Sequence, residues 1–215
     1  MSPRVDFLDV PKSPAIAALP TTGRGMPVPY ITLYRPNDGH DVTYTVRATR
    51  GPMCACTCKL GEGRPVIGVQ CVSRQRRAMR KKLCGVCGQD LHPGDDIIFI
   101  GPGETFAHGS DGSTVPASIE APLHPECAAY SALTCPRLLH QPATITLAVM
   151  REYSLADQLL VGYDANRQPR YVIAPPAADH SSLGALNSYA AVLQPEHGRL
   201  TTLEAWMYDE APALA

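Results

Sequence analysis

A chain of 215 residues with 45% apolar side chains has the length and the material to bury one or two small cores without covalent staples. Its uncharged apolar runs are far too short to cross a bilayer, so a soluble globular protein with no membrane role is expected. A formal net charge of −1 excludes a polycation, and any nucleic-acid role must come from a local patch.

In chain order, residues 1 to 29 carry six prolines, a density that forbids a long helix and favours an extended arm laid over a domain surface. The N-terminus shows neither the basic start nor the apolar run of an export signal, so a cytoplasmic protein is expected. The "LPTTG" at Leu19 to Gly23 spells a wall-sorting motif, but at the wrong end of the chain, and is read as chance. "YITLY" and "DVTYTVRA" alternate β-formers around "RPNDGH" and predict a hairpin. "RGPMCACTCKLGEGRPVIG" reads as a loop punctuated by glycine and proline. From Ser73 as N-cap, "SRQRRAMRKKL" predicts a short helix that ends at the glycine of "CGVCG". Val72, Met79 and Leu83 would form its apolar stripe, with Arg74, Arg77 and Lys81 facing away. "DIIFIGP" predicts a buried strand, "ETFAHGSDGSTVPASIEAP" an exposed loop, and "HPECAAYSALTC" a helix with Pro125 in its first turn. Beyond Gln141, "ATITLAVMREY", "QLLVGYD" and "PRYVIAP" predict strands, the last two joined by "ANRQ". "SSLGALNSYAAVL" and "TTLEAWMYDEA" predict helices, the latter with a capping box from Thr201 to Glu204.

The chemistry concentrates where the cysteines are. All eight lie between Cys54 and Cys135, and without an export signal they point to metal ligation more than to disulfides. Cys84 and Cys87, followed by Gly88, have the shape of a zinc knuckle, in which glycine lets backbone amides turn toward the sulfurs. After 36 intervening residues, His124 and Cys127 stand at the start of the expected helix, whose positive end stabilises thiolate. Together the four residues predict a structural Cys3His zinc site within a treble-clef-like core. A nucleobase deaminase would require a proline-cysteine-x-x-cysteine downstream of the histidine, and a metalloprotease two histidines four apart on one helix; neither is present. Glu126 therefore reads as a helix-start residue, and no catalytic residue is assigned.

Cys54, Cys56 and Cys58 alternate, so in an extended strand they would face one side and, with Cys71, could complete a second four-sulfur site. Free thiols, or a redox pair among them, are the other readings of that run. Cys135, beside Pro136, reads as a small buried residue that caps a helix end. Six of the nineteen basic residues fall in "RQRRAMRKK", which makes Arg74, Arg77, Arg80 and Lys81 the candidate contacts to nucleic acid or to a protein partner. Arginine outnumbers lysine 15 to 4 over the chain and no aromatic side chain stands nearby to stack a base, which favours a solvated face or a protein-partner surface over nucleic acid.

Five stretches, "SPAIAALPTTGRGMPVPY", "RQRRAMRKKLCGVCG", "FIGPG", "APLHPECAAYSALTCP" and "GRLTTLEAW", resemble in the same order a group of small uncharacterised zinc-binding proteins of bacteria, notably actinobacteria, and of their phages. The resemblance implies a zinc core, a bacterial or phage setting and a docked "PVPY" arm, and it implies no reaction. The expected fold is α+β: an arm and hairpin over residues 1–50, a cysteine-rich zinc core over 51–140, and a C-terminal small sheet with two helices over 141–215 that can join the core in one unit. The expected function is a non-enzymatic, zinc-stabilised binding or adaptor protein holding one or two zinc ions. The rival is a zinc-dependent enzyme or nucleic-acid-binding protein that acts on nucleic acid or a nucleotide.

Overall fold

The computed structural model of the chain describes residues 9–37, 43–102, 106–108, 114–140, 142–176, 179–194 and 197–209. They form a mixed α+β fold of three sheets and a few short helices. None of the described helices is long and apolar enough to cross a membrane.

The arm is docked. Ser13 caps the short helix α1 (Pro14–Ala17) by accepting from the Ile16 N–H, and Pro14 supplies the pre-set backbone of the first position. Val10, Ile16, Leu19 and Val28 are all buried, so the arm contributes apolar surface to the interior.

The pairing after the arm differs from the hairpin read in the sequence. β1 (Thr32–Arg35) pairs antiparallel with β4 (Arg64–Gln70), whereas β2 (Thr43–Ala48) pairs with β3 (Gly51–Cys56). β3 and most of β4 lie in the stretch read as a loop. A two-residue connection at Thr49 and Arg50 closes β2 onto β3 with little loop entropy, and the glycines at 61 and 63 belong to the turn that leads into β4. Residues 38–42 of the expected turn lie outside the described residues.

The largest sheet runs β10-β9-β11-β3-β2, with β7 also on β11 and β6 on β7. Its strands are β6 (Phe106–His108), β7 (Thr114–Ser118), β9 (Ser154–Tyr163), β10 (Pro169–Ala174) and β11 (Ala185–Val192). β11 replaces one of the two helices expected at the C-terminal end. It pairs antiparallel with β9 and β7 and parallel with β3, and Leu186, Ser188 and Ala190 are buried at every second position. β6 and β7 occupy part of the segment read as an exposed loop, whose residues 109–113 lie outside the described ones.

A third sheet, in the order β12-β8-β5, joins β5 (Ile97–Pro102), β8 (Ile145–Met150) and β12 (Gly198–Thr202). Beyond the short helix α4 (Pro136–His140), the last described helix, α5 (Leu203–Asp209), is capped by Thr202, whose hydroxyl accepts from the Ala205 N–H at 3.1 Å. Thr201, the cap expected from the sequence, belongs to β12 instead.

Helix α2 (Val72–Lys81) starts at Cys71, and Ser73 is one residue inside it. Its buried face is Gln75, Arg76, Ala78 and Met79. The Gln75 amide donates to the Ile119 and Tyr189 carbonyls and accepts from the Tyr189 N–H, which fastens α2 to β11 with every polar atom of that side chain paired. The main core gathers the arm, Met79, β5, β8, helix α3 (Pro125–Thr134) and, from α5, Leu203 and Trp206. Cys84, Cys87 and Cys127 sit in that same core.

Candidate metal centre

The centre is assembled from two chain segments that meet where the Gly85 N–H donates to the Pro122 carbonyl. After α2 the chain reverses through Lys82, whose φ of 52° is left-handed, and Leu83 bridges to Asp90. Between them the Cys84 N–H donates to Gln89 and the Gly88 N–H donates back to Cys84, each at 2.8 Å, which closes a tight loop around the two cysteines. Gly88 has a φ of 75° and abuts the Tyr30 ring, where a Cβ would lie 3.0 Å away; the turn therefore demands glycine twice over. The Tyr30 and Ile31 N–H groups donate to the Val86 and Gly85 carbonyls, and the Gly85 N–H donates to Pro122.

From that contact the second ligand pair follows directly. Leu123 exchanges both backbone hydrogen bonds with Ile98 of β5, so the sheet fixes the residue just before His124. His124 is the N-cap of α3, Pro125 opens the first turn, and Cys127 comes three residues on, facing the knuckle.

The sulfurs of Cys84, Cys87 and Cys127 and a ring nitrogen of His124 all lie within 4.8 Å of one another. Cys84 and Cys127 are fully buried and Cys87 nearly so. The histidine ring is oriented at both nitrogens: Nδ1 is 3.4 Å from the Cys87 sulfur and Nε2 is 3.0 Å from the Asp90 carbonyl. A carbonyl only accepts, so Nε2 carries the hydrogen and donates it. In the neutral ring Nδ1 then presents its lone pair to the sulfurs, and the bond at Nε2 holds the imidazole in the orientation a metal needs.

The electrostatics are those of thiols crowded around a place for a cation. Burial pushes the Cys84 thiol up, but hydrogen bonds from Cys127 and Cys87, with the backbone amides of Cys87 and His124, outweigh it and bring it down to about 3. The same contact with Cys84 drives the Cys127 thiol far above its ordinary range. The hydrogen bond to Cys87 raises His124 to about 9 against the opposing effect of burial. Glu126 is about half exposed, and its carboxylate lies 4.0 Å from Nδ1 at the positive start of α3.

A second group of thiols stands apart. Cys56, at the end of β3, Cys58 just beyond it, and Cys71, the N-cap of α2, have sulfurs within 4.8 Å of one another. The β1–β4 pairing brings them together, because it returns the chain to β3 at Cys71. Cys54, grouped with them in the sequence as a possible fourth sulfur, is buried outside the cluster, so three sulfurs converge there. Burial raises the Cys56 and Cys71 thiols. At Cys58 burial acts the same way, but hydrogen bonds from Cys56, the Tyr34 backbone and Cys71, aided by the Arg74 charge, bring the thiol below its usual value.

The basic helix divides. Arg74 turns inward, donating to the Thr32 and Cys58 carbonyls and to the Cys58 sulfur, and Arg76 is buried with a bond to the Asn187 carbonyl. Arg77, Arg80 and Lys81 are exposed. Of the four contacts expected for nucleic acid or a partner, Arg74 is committed to the interior. Cys135 is the half-buried C-cap of α3.

No residue pattern points to the Asp90 carbonyl as the anchor of His124, because a backbone acceptor carries no residue signature. It also missed an apolar groove of about 280 Å³, with Leu19, Met26, Ile31, Val69 and Leu138 among its lining residues and Glu120 and Arg137 as its charged members. Burial raises the Glu120 carboxyl, which accepts a hydrogen bond from the Gln70 amide.

Two groups of side chains can therefore hold a metal ion. No family model matches the chain, and neither the curated proteins nor the solved structures include a match to it.

Proposed function

We propose that Cys84, Cys87, His124 and Cys127 hold a structural zinc ion in a treble-clef-like core, and that the protein is a non-enzymatic, zinc-stabilised binding or adaptor protein of the bacterial cytoplasm. The observation that carries this reading is the convergence of three sulfurs and one oriented imidazole nitrogen. Thiolate and imidazole are the donors zinc prefers, and four of them close a tetrahedron with no position left for a reacting water. A knuckle before the sheet and a ligand pair at the start of the following helix are the parts of a treble clef. The bacterial or phage setting is what the sequence resemblance implies.

The ion's task is to tie the loop of Cys84 and Cys87 to the start of α3 within the core that both help to form. Zinc affinity at such a site is on the order of 10 kcal/mol, and where the site exists only in the folded chain that affinity becomes folding free energy. The groove beside the arm, apolar with one acid and one arginine in its lining, has the character that an apolar segment of a protein partner needs. Nucleic-acid binding through α2 is the weaker reading, since Arg74 and Arg76 are spent inside.

The test is metal analysis with a fluorescence readout. Trp206 is the single tryptophan and is buried in the same core as the cysteines. Protein purified under reducing conditions should carry tightly bound zinc, and Cys84→Ser and Cys127→Ser should each lose that equivalent. A strong chelator should release it and shift the Trp206 emission to the red. Zinc content unchanged by both substitutions contradicts the proposal.

A further inference from the structure

The three-thiol group differs from the four-ligand centre in a way that defines its chemistry. Three separate devices hold it in place. The Ser73 hydroxyl accepts from the Cys56 N–H at 3.0 Å, tying the first turn of α2 to the end of β3. The Cys58 N–H points at the Cys56 sulfur at 3.3 Å. Arg74 places Nη2 3.3 Å from the Cys58 sulfur and Nη1 3.1 Å from the Cys58 carbonyl, and the same guanidinium donates to the Thr32 carbonyl of β1. The three sulfurs are thus positioned by strand, helix start and guanidinium at once.

We propose that Cys56, Cys58 and Cys71 form a second metal site, one that binds a zinc-like divalent ion through three thiolates and leaves its fourth position to a ligand from solution. Thiolate sulfur selects soft ions such as zinc and monovalent copper over magnesium or calcium. Charge decides between the first two. Three thiolate charges are balanced by a divalent ion and the Arg74 guanidinium together, whereas a monovalent ion leaves a net negative charge beside buried Cys71 and Leu33.

Among the described residues no fourth cysteine, histidine or carboxylate joins the group. Three protein ligands with one exchangeable position is the open form of a zinc site, in contrast to the closed form at Cys84. Access fits this form: Cys71 is buried, while Cys56 and Cys58 are half-buried and give the ion a side toward solvent. The incoming ligand would be water, a small thiol or a compact anion, with the Arg74 guanidinium as a neighbouring donor.

Cobalt titration of the anaerobically reduced, full-length protein tests this. Wild type should take up two equivalents, and Cys56→Ser, Cys58→Ser and Cys71→Ser should each take up one. The absorption bands of the equivalent lost in these variants should shift when imidazole or 2-mercaptoethanol is added, and those of the retained equivalent should stay fixed. Emission from Trp206 unchanged from wild type identifies the variants that fold, and half-buried Cys56 provides one if Cys71→Ser does not. A single equivalent in wild type overturns the proposal, as do two equivalents retained by Cys56→Ser or a second spectrum indifferent to added ligand.

Discussion

Arg74 and Arg77 stand three residues apart on α2 and have different tasks. Arg74 reaches between β1 and the Cys58 segment, where its guanidinium satisfies two carbonyls and touches a sulfur, while Arg77 is exposed. Truncating a charged donor that leaves buried acceptors unpaired costs about 1–3 kcal/mol, and truncating an exposed side chain changes stability by less than about 0.5 kcal/mol. Urea unfolding should therefore find Arg74→Ala clearly destabilised and Arg77→Ala nearly as stable as wild type; equal midpoints would contradict the inward placement of Arg74. At this scale the two ligand pairs were legible, because two residues three apart on a turn or a first helical turn report their geometry locally. The phase of α2 was less so. An apolar stripe through Val72, Met79 and Leu83 placed Arg74 outward, whereas the observed face includes Gln75, a polar residue that buries because its whole amide is bonded. Cys54 illustrates the other limit: its alternation with Cys56 was visible, but the three-sulfur cluster is set by where Cys71 returns, and that depends on a strand pairing distant in sequence.

Among the elements, β11 shows why helix-like composition misleads. Leucine and alanine dominate residues 185–193, and both favour helix in isolation. The segment is a strand because it lies between β9 and β3 and also meets β7, where small side chains let neighbouring elements approach. Ser188 is buried there and donates to Gln158 of β9, a partner no helix surface would have offered. Ala190 is fully buried, so Ala190→Leu should overpack the sheet and cost about 1–3 kcal/mol, read as a lowered urea midpoint. A half-exposed helix would accept the larger side chain with little change, and that outcome would contradict the strand. Elements with strong local patterns, namely α3, β5, β8 and the β9–β10 pair, were legible where they stand. The β1–β4 and β2–β3 pairings were not, because partner choice depends on loop closure and on distant neighbours.

For the whole molecule, the main core connects segments from both ends of the described chain. Val10 and Ile16 near one end, Leu203 and Trp206 near the other, and the cysteines of the knuckle and α3 belong to one buried cluster. The group of Cys84, Cys87, His124 and Cys127 lies inside that cluster, which is why an ion held there would bear on the fold as well as on its own coordination. The most direct measurement of this claim is zinc-edge X-ray absorption on Cys71→Ser protein, in which the three-thiol site is disabled and only the knuckle centre contributes. The predicted shell is three sulfurs at about 2.3 Å and one nitrogen at about 2.0–2.1 Å, the distances of zinc thiolate and zinc imidazole. A shell with fewer than three sulfurs, a coordinated water oxygen in place of the imidazole, or protein without zinc would contradict a closed Cys3His centre.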